Sequence, residues 1–75
     1  MKTCLLIKTE PNMHNIVAES ITKIKGVKLA FPVLGRTDVV ANIEIDDLKA
    51  LTELVLNILI VNGVAACETL IGLEA

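Results

Sequence analysis

Four stretches of this chain alternate apolar and polar positions with the period of a strand, and two stretches between them carry apolar residues at helical spacing. The first strand is predicted over Lys2–Lys8, with Thr3, Leu5 and Ile7 on one face. Glu10-Pro11-Asn12 breaks it; Pro11 suits the approach to a first helical turn and Asn12 suits the N-cap. Met13, Ile16, Val17, Ile21 and Ile24 then form one stripe, while Asn15, Glu19, Thr22 and Lys23 fall opposite. Gly26 ends that helix in the left-handed conformation. Further strands are predicted over Val27–Leu34, Asp38–Ile45 and Val64–Leu73. Pro32 cannot donate to a ladder, so the second strand belongs at a sheet edge. Asp46 or Asp47 caps a second helix that runs to about Asn62, and Gly63 ends it.

The halves repeat. Lys25-Gly26-Val27 matches Asn62-Gly63-Val64, and Gly35 matches Gly72, both at an offset of 37 residues; Val17, Ile21 and Ile24 match Leu54, Ile58 and Val61. Each half reads strand, helix, strand. Two copies give a single α+β domain over residues 1–75: a ferredoxin-like βαββαβ sandwich with a four-stranded antiparallel sheet and two helices on one face.

Apolar surface is left over in this arrangement. Hydrophobic residues make up 53% of the 75, and a chain this short has too much surface for its volume to bury them all. On the sheet, Val27, Leu29, Phe31 and Val33 are expected to meet the helices. Cys4, Leu6, Ala30, Leu34 and Val40 are expected on the other face, which a second copy's sheet would cover to give a dimer of the α/β-barrel type. In the second helix Leu51, Leu54, Val55 and Ile58 face the sheet. Leu56 and Ile60 lie nearly opposite, among Lys49, Glu53 and Asn57. Such an i,i+4 apolar pair points to a second interface, and with the sheet face it implies dimers joined into a larger ring.

Charge and composition narrow the chemistry. The net charge is −2, the seven Lys and Arg are scattered, and Phe31 is the only aromatic. No basic stripe with stacking rings exists for a nucleic acid. Leu51–Val61 is too short and too interrupted to cross a bilayer. With no cleavable leader and no CxxC pair, a cytoplasmic, reduced setting is expected. His14, on the flank of the first helix, lacks the companions of a metal site. Cys4 and Cys67 sit on strands that are neighbours in this fold and read as small buried hydrophobes. No catalytic triad or glycine-rich phosphate loop is present, and no cofactor is expected.

One segment carries candidate binding chemistry. Gly35-Arg36-Thr37-Asp38 joins the second and third strands. Gly35 can take the positive φ of a tight turn, and Asp38 sets a carboxylate beside a cluster of backbone amides. Amides for a carboxylate and Asp38 for an amine would receive a small zwitterion. The same four residues would also serve as an ordinary hairpin turn. Thr69, in a strand of Ala, Leu and Ile, is a further candidate, and equally an ordinary β-branched strand residue.

The order Lys8-Thr9-Glu10-Pro11, Lys25-Gly26-Val27, Gly35-Arg36-Thr37-Asp38-Val39-Val40, Asn62-Gly63-Val64 and Glu68-Thr69 resembles the effector-binding (RAM) domain of Lrp/AsnC transcriptional regulators over nearly the whole chain. The resemblance implies a stand-alone RAM protein, of archaeal or bacterial type, beginning at the first strand without the usual helix-turn-helix. It implies a non-enzymatic homo-oligomer that pairs sheet to sheet and builds octamers or other rings. An amino acid or related metabolite would bind between dimers, lined by Gly35, Arg36, Thr37, Asp38 and Thr69, with Leu6, Leu34, Val40, Leu56 and Ile60 at the interfaces. Thr37 stands where an aromatic is common in the family, which implies a pocket without a stacking ring. A full-length Lrp/AsnC regulator or a metabolic enzyme would read the signal. Two other functions share the architecture: a small monooxygenase-like dimeric enzyme, and an accessory regulator acting on DNA with a partner. The first wants a polar or aromatic pocket inside the sheet, and the second a basic surface.

Overall fold

The computed structural model describes residues 2–73, in the order β1 (Lys2–Thr9), α1 (His14–Thr22), β2 (Val27–Pro32), β3 (Val39–Glu44), α2 (Leu48–Leu59) and β4 (Val64–Ile71). The strands form one antiparallel sheet in the order β2-β3-β1-β4, with β2 at an edge as Pro32 requires. This is the expected ferredoxin-like βαββαβ arrangement. Both helices pack on one face, where Leu5, Ile7, Val39, Ala41 and Ile43 meet Val17, Ala18, Ile21, Leu54 and Ile58 in a single buried cluster.

Helix ends follow local chemistry. Asp47 caps α2, its side chain accepting from the Ala50 N–H at 2.8 Å. The first helix differs from expectation. Asn12 is not the cap but a left-handed turn residue at φ 64°, a conformation Asn tolerates, and Met13 takes the N-cap position with no side-chain bond. Gly26 and Gly63 stand at φ 101° and 98°, and both carbonyls tie strand ends together. Gly26 accepts from the Glu44 N–H at 2.9 Å, and Gly63 from the Glu10 N–H at 2.8 Å. The sequence repeat thus corresponds to a structural one.

The second strand corrects the expected faces. A bulge at Lys28 shifts the register, so that Val27 pairs with Ile43 but Leu29 with Asn42. Beyond it Ala30 faces the helices, and Leu29 and Phe31 face away. A one-residue shift moves every later side chain to the other face. The open face therefore presents a row running Phe31, Val40, Leu6 and Glu68, with Leu29, Asn42, Cys4 and Leu70 beside it. Leu34 lies past the end of β2, fully exposed, and belongs to neither face. Cys4 is on the open face and Cys67, paired with Ile7, on the helix side. The two side chains are thus on opposite faces of the sheet although their strands are neighbours; both are free thiols, and burial pushes the Cys67 thiol up.

On the helix side the Thr3 hydroxyl is buried without a hydrogen-bond partner among the described residues. Replacing it with a methyl removes that desolvation cost at nearly constant shape, so Thr3→Val is expected to gain about 1 kcal/mol. Chemical denaturation followed by circular dichroism checks this; a loss of stability of that size would mean the hydroxyl is bonded in solution.

Candidate functional site

The β2–β3 connection is longer than a tight hairpin. It spans residues 33–38 and closes where the Val33 N–H donates to the Asp38 carbonyl at 3.0 Å. Its second leg is fastened to the end of β1 by three hydrogen bonds. The Thr37 hydroxyl donates to the Ile7 carbonyl at 2.8 Å, the Asp38 N–H donates to the same carbonyl at 2.9 Å, and the Thr9 N–H donates to Asp38 Oδ2 at 2.8 Å. Asp38 therefore holds the loop with one carboxylate oxygen. Gly35, at φ 148°, turns the chain at the outer tip with nothing within 4 Å of where a Cβ would stand.

This fastening divides the four loop residues between two sites. Gly35 and Asp38 line a cavity of about 450 Å³ together with His14, Asn15, Pro32, Val33 and Leu34. Arg36 and Thr37 instead border a groove on the open face of the sheet with Leu6, Lys8, Ala66 and Glu68. Thr69 joins neither. It lies at the far end of β4, in an apolar groove of about 320 Å³ lined also by Leu51, Thr52, Val55, Leu56 and Ile71. Within one chain the five candidate binding residues do not converge. Among the interface candidates, Leu6 and Val40 are cross-strand neighbours on the open face, and Leu56 and Ile60 stand 58% and 81% exposed on α2 and its C-cap.

His14 and Asn15 enter the first cavity from the start of α1, and neither was among the candidate binding residues. The fold itself holds the signal that places them. In a βαββαβ chain the end of β1, the start of α1 and the β2–β3 connection all meet at one end of the sheet. The cavity so formed is lined by the ionisable or polar residues Asp38, His14 and Asn15 together with the apolar Pro32, Val33 and Leu34. Its polar groups suit a small molecule with separate charges. Among the described residues no three His, Cys, Asp or Glu side chains stand close enough to share a metal ion, and no helix is long and apolar enough to cross a membrane.

A family model described as the Lrp/AsnC ligand binding domain matches residues 2–75. No curated protein compared with the chain matches it. Among solved structures, the chain is similar to TTHA0845 from Thermus thermophilus, at 31% identity and a TM-score of 0.90, over 100% of this chain and 96% of that one. A hypothetical protein from Pyrococcus horikoshii, PHS023, aligns at 26% identity and a TM-score of 0.86, over 100% and 93%. Escherichia coli AsnC has the same fold at 17% identity and a TM-score of 0.89, over 99% of this chain and 51% of that one.

Proposed function

Because the chain belongs to the Lrp/AsnC ligand-binding domain family, we propose that it is a non-enzymatic sensor that takes an amino acid or closely related zwitterion in the cavity at Gly35 and Asp38. The observation that carries this reading is the division of labour at Asp38. One oxygen accepts from the Thr9 N–H, which fixes the carboxylate in place, and Asp38 is among the residues that line the cavity. A fixed carboxylate is a pre-organised partner for a ligand amine, since little ordering is left to be done on binding. His14, Asn15 and the loop amides around Gly35 supply donors for a ligand carboxylate at the other side. The open apolar face of the sheet supports pairing with a second copy. Arg36 and Thr37 would then sit beside that interface, and Thr69 would reach an effector only from another subunit. Such a module acts in the cytoplasm by shifting its own assembly, which a full-length regulator of the family or a metabolic enzyme reads. Its net charge of −2 and scattered Lys and Arg favour this reading over direct binding to a duplex.

The test is thermal unfolding against a panel of amino acids. At about a hundred times its Kd a ligand adds roughly 2.7 kcal/mol per site, which for so small a domain raises Tm by more than about 10 °C. The variant to pair with it is Asp38→Asn. An amide oxygen can still accept from Thr9, so the loop stays anchored, while the charge for the amine is gone. Affinity is expected to fall at least about tenfold with the ligand-free Tm nearly unchanged. Unaltered affinity in Asp38→Asn would remove Asp38 from the site. Asp38→Ala would lose the anchor and the charge together and so could not separate them.

A further inference from the structure

The sheet has two edges, and only one of them is guarded. At the β2 edge Pro32 has no N–H to offer, and the bulge at Lys28 breaks the regular spacing of backbone groups, so a further strand finds little to pair with. At the other edge β4 keeps a continuous register with β1 from Ala66 to Ile71, and no strand lies beyond it among the described residues. That segment contains no Pro and no Lys, the residues that discourage pairing at an edge. In such a strand every second residue turns its N–H and C=O outward. These groups call for one kind of partner, an extended backbone that returns the same pattern.

The flanking side chains narrow the partner further. On the helix side Thr69 and Ile71 form one wall of the groove of about 320 Å³, and Thr52, Val55 and Leu56 of α2 line the other. Ile71 and Leu56 stand half-exposed there, so apolar side chains of an added strand are received between strand and helix. On the open face Glu68 is exposed. Its cross-strand neighbour on β1 is Leu6, and it has no ion pair among the described residues, although Lys8 and Arg36 border the same groove. A cation standing opposite Glu68 on an added strand supplies the missing charge. A second copy's β4 does not. When two β4 edges pair antiparallel about a two-fold axis, residues of the same face stand opposite one another. In the registers that overlap most, Glu68 then meets Ala66, Leu70 or another Glu68. The last of these sets like charges together.

We propose that the β4 edge and the α2 groove together bind an extended segment of a different protein, which adds antiparallel to β4 as a fifth strand. The segment alternates in character. Its apolar side chains opposite Thr69 and Ile71 enter the groove, and a Lys or Arg stands opposite Glu68 on the other face. Backbone hydrogen bonds supply affinity, while the groove and Glu68 select the sequence. Of the five candidate binding residues only Thr69 takes part. The cavity at Gly35 and Asp38 shares no residue with this edge, so the two are occupied independently.

Fluorescence anisotropy and amide hydrogen exchange with a labelled probe peptide test this without any effector. The probe is a short capped peptide reading valine, threonine, valine, lysine, valine, threonine, which sets valines toward the groove and the lysine opposite Glu68. It is expected to bind saturably and to slow exchange in β4 with no change in β2. Methylating the probe's edge-facing backbone nitrogens is expected to abolish binding, because those N–H groups make the ladder. Glu68→Lys is expected to weaken binding about three- to tenfold, and a glutamate in place of the probe's lysine to restore it. Leu56→Asp, which puts a charge in the groove, is expected to weaken it at least about tenfold. Both side chains are exposed, so both variants are expected to fold, which an unchanged Tm verifies. The proposal is overturned by a probe that does not bind saturably, by binding that survives methylation, by unaltered affinity in Glu68→Lys, or by slowed exchange in β2 instead of β4. It is also overturned if β4 exchange slows with protein concentration alone, which would mean that a second copy occupies the edge.

Discussion

Ile58→Ala is expected to lower the unfolding free energy by about 2–5 kcal/mol, the range for removing a large aliphatic side chain from a packed interior. Ile58 is completely buried, and it sits in the cluster where α2 meets Leu5, Ile7, Val17, Ile21, Val39 and Leu54. Two contributions add here: the transfer energy of the lost methyl and methylene groups, and the cavity left among neighbours that strands and a second helix hold in place. A domain of this length has roughly 4–11 kcal/mol in total. The variant is therefore expected to melt more than about 10 °C lower. Raising the protein concentration should recover part of that loss, because subunit association adds stability by mass action. Circular dichroism at fixed protein concentration measures the change, since the chain has no Trp or Tyr to report by fluorescence. A loss below about 1 kcal/mol would show that α2 is held by subunit contacts more than by this core.

Gly63→Ala is the second large effect, and its cause is different. Gly63 stands at φ 98°, where a side chain is strained, and an added Cβ would come within 2.7 Å of Met13 Cε and 3.0 Å of Val17 Cγ2. The strain costs about 1–3 kcal/mol by itself. The crowding adds to it, because Val17 is buried and cannot swing away. A total of about 2–4 kcal/mol is expected. Gly26 gives the comparison: its φ is 101°, but the nearest atom to an added Cβ is Ile45 Cδ1 at 3.2 Å. Gly26→Ala should therefore cost the strain with little crowding. The double variant Met13→Ala/Gly63→Ala should lose less than the sum of its single changes, because the thioether that meets the new methyl is gone. Equal losses at Gly26 and Gly63 would refute the crowding term.

The resemblance to Lrp/AsnC regulators rested on short motifs in order, and the match over residues 2–75 bears it out. The site was only partly legible. Gly35 and Asp38 were singled out because a glycine able to take positive φ and a carboxylate stand in the turn between two alternating runs, and both line the cavity proposed as the site. His14 was set aside because, taken alone, it has no partner in sequence; its neighbours in space come from residues about twenty positions further on. Thr37 was expected to line the same pocket; its hydroxyl donates to the Ile7 carbonyl, and it borders the groove on the open face of the sheet. That bond depends on where β1 ends relative to the loop, which the local sequence does not encode.

What the chain determined by itself is periodic and short in range. The strand and helix order, the edge position forced by Pro32, the Asp47 cap and the left-handed glycines all follow from residues within a turn or two of each other. The face each side chain of β2 presents was decided only by tertiary structure. A single bulge at Lys28, set by pairing with β3, sent Ala30 inward and Leu29 and Phe31 outward. Tertiary structure also decided that the loop's four residues line two different surfaces, with Gly35 and Asp38 in the cavity beside His14 and Asn15, Arg36 and Thr37 on the open face, and Thr69 in a separate groove. The physical reason is the same in each case: periodicity fixes which residues share a face, while register and packing between distant segments fix what that face meets.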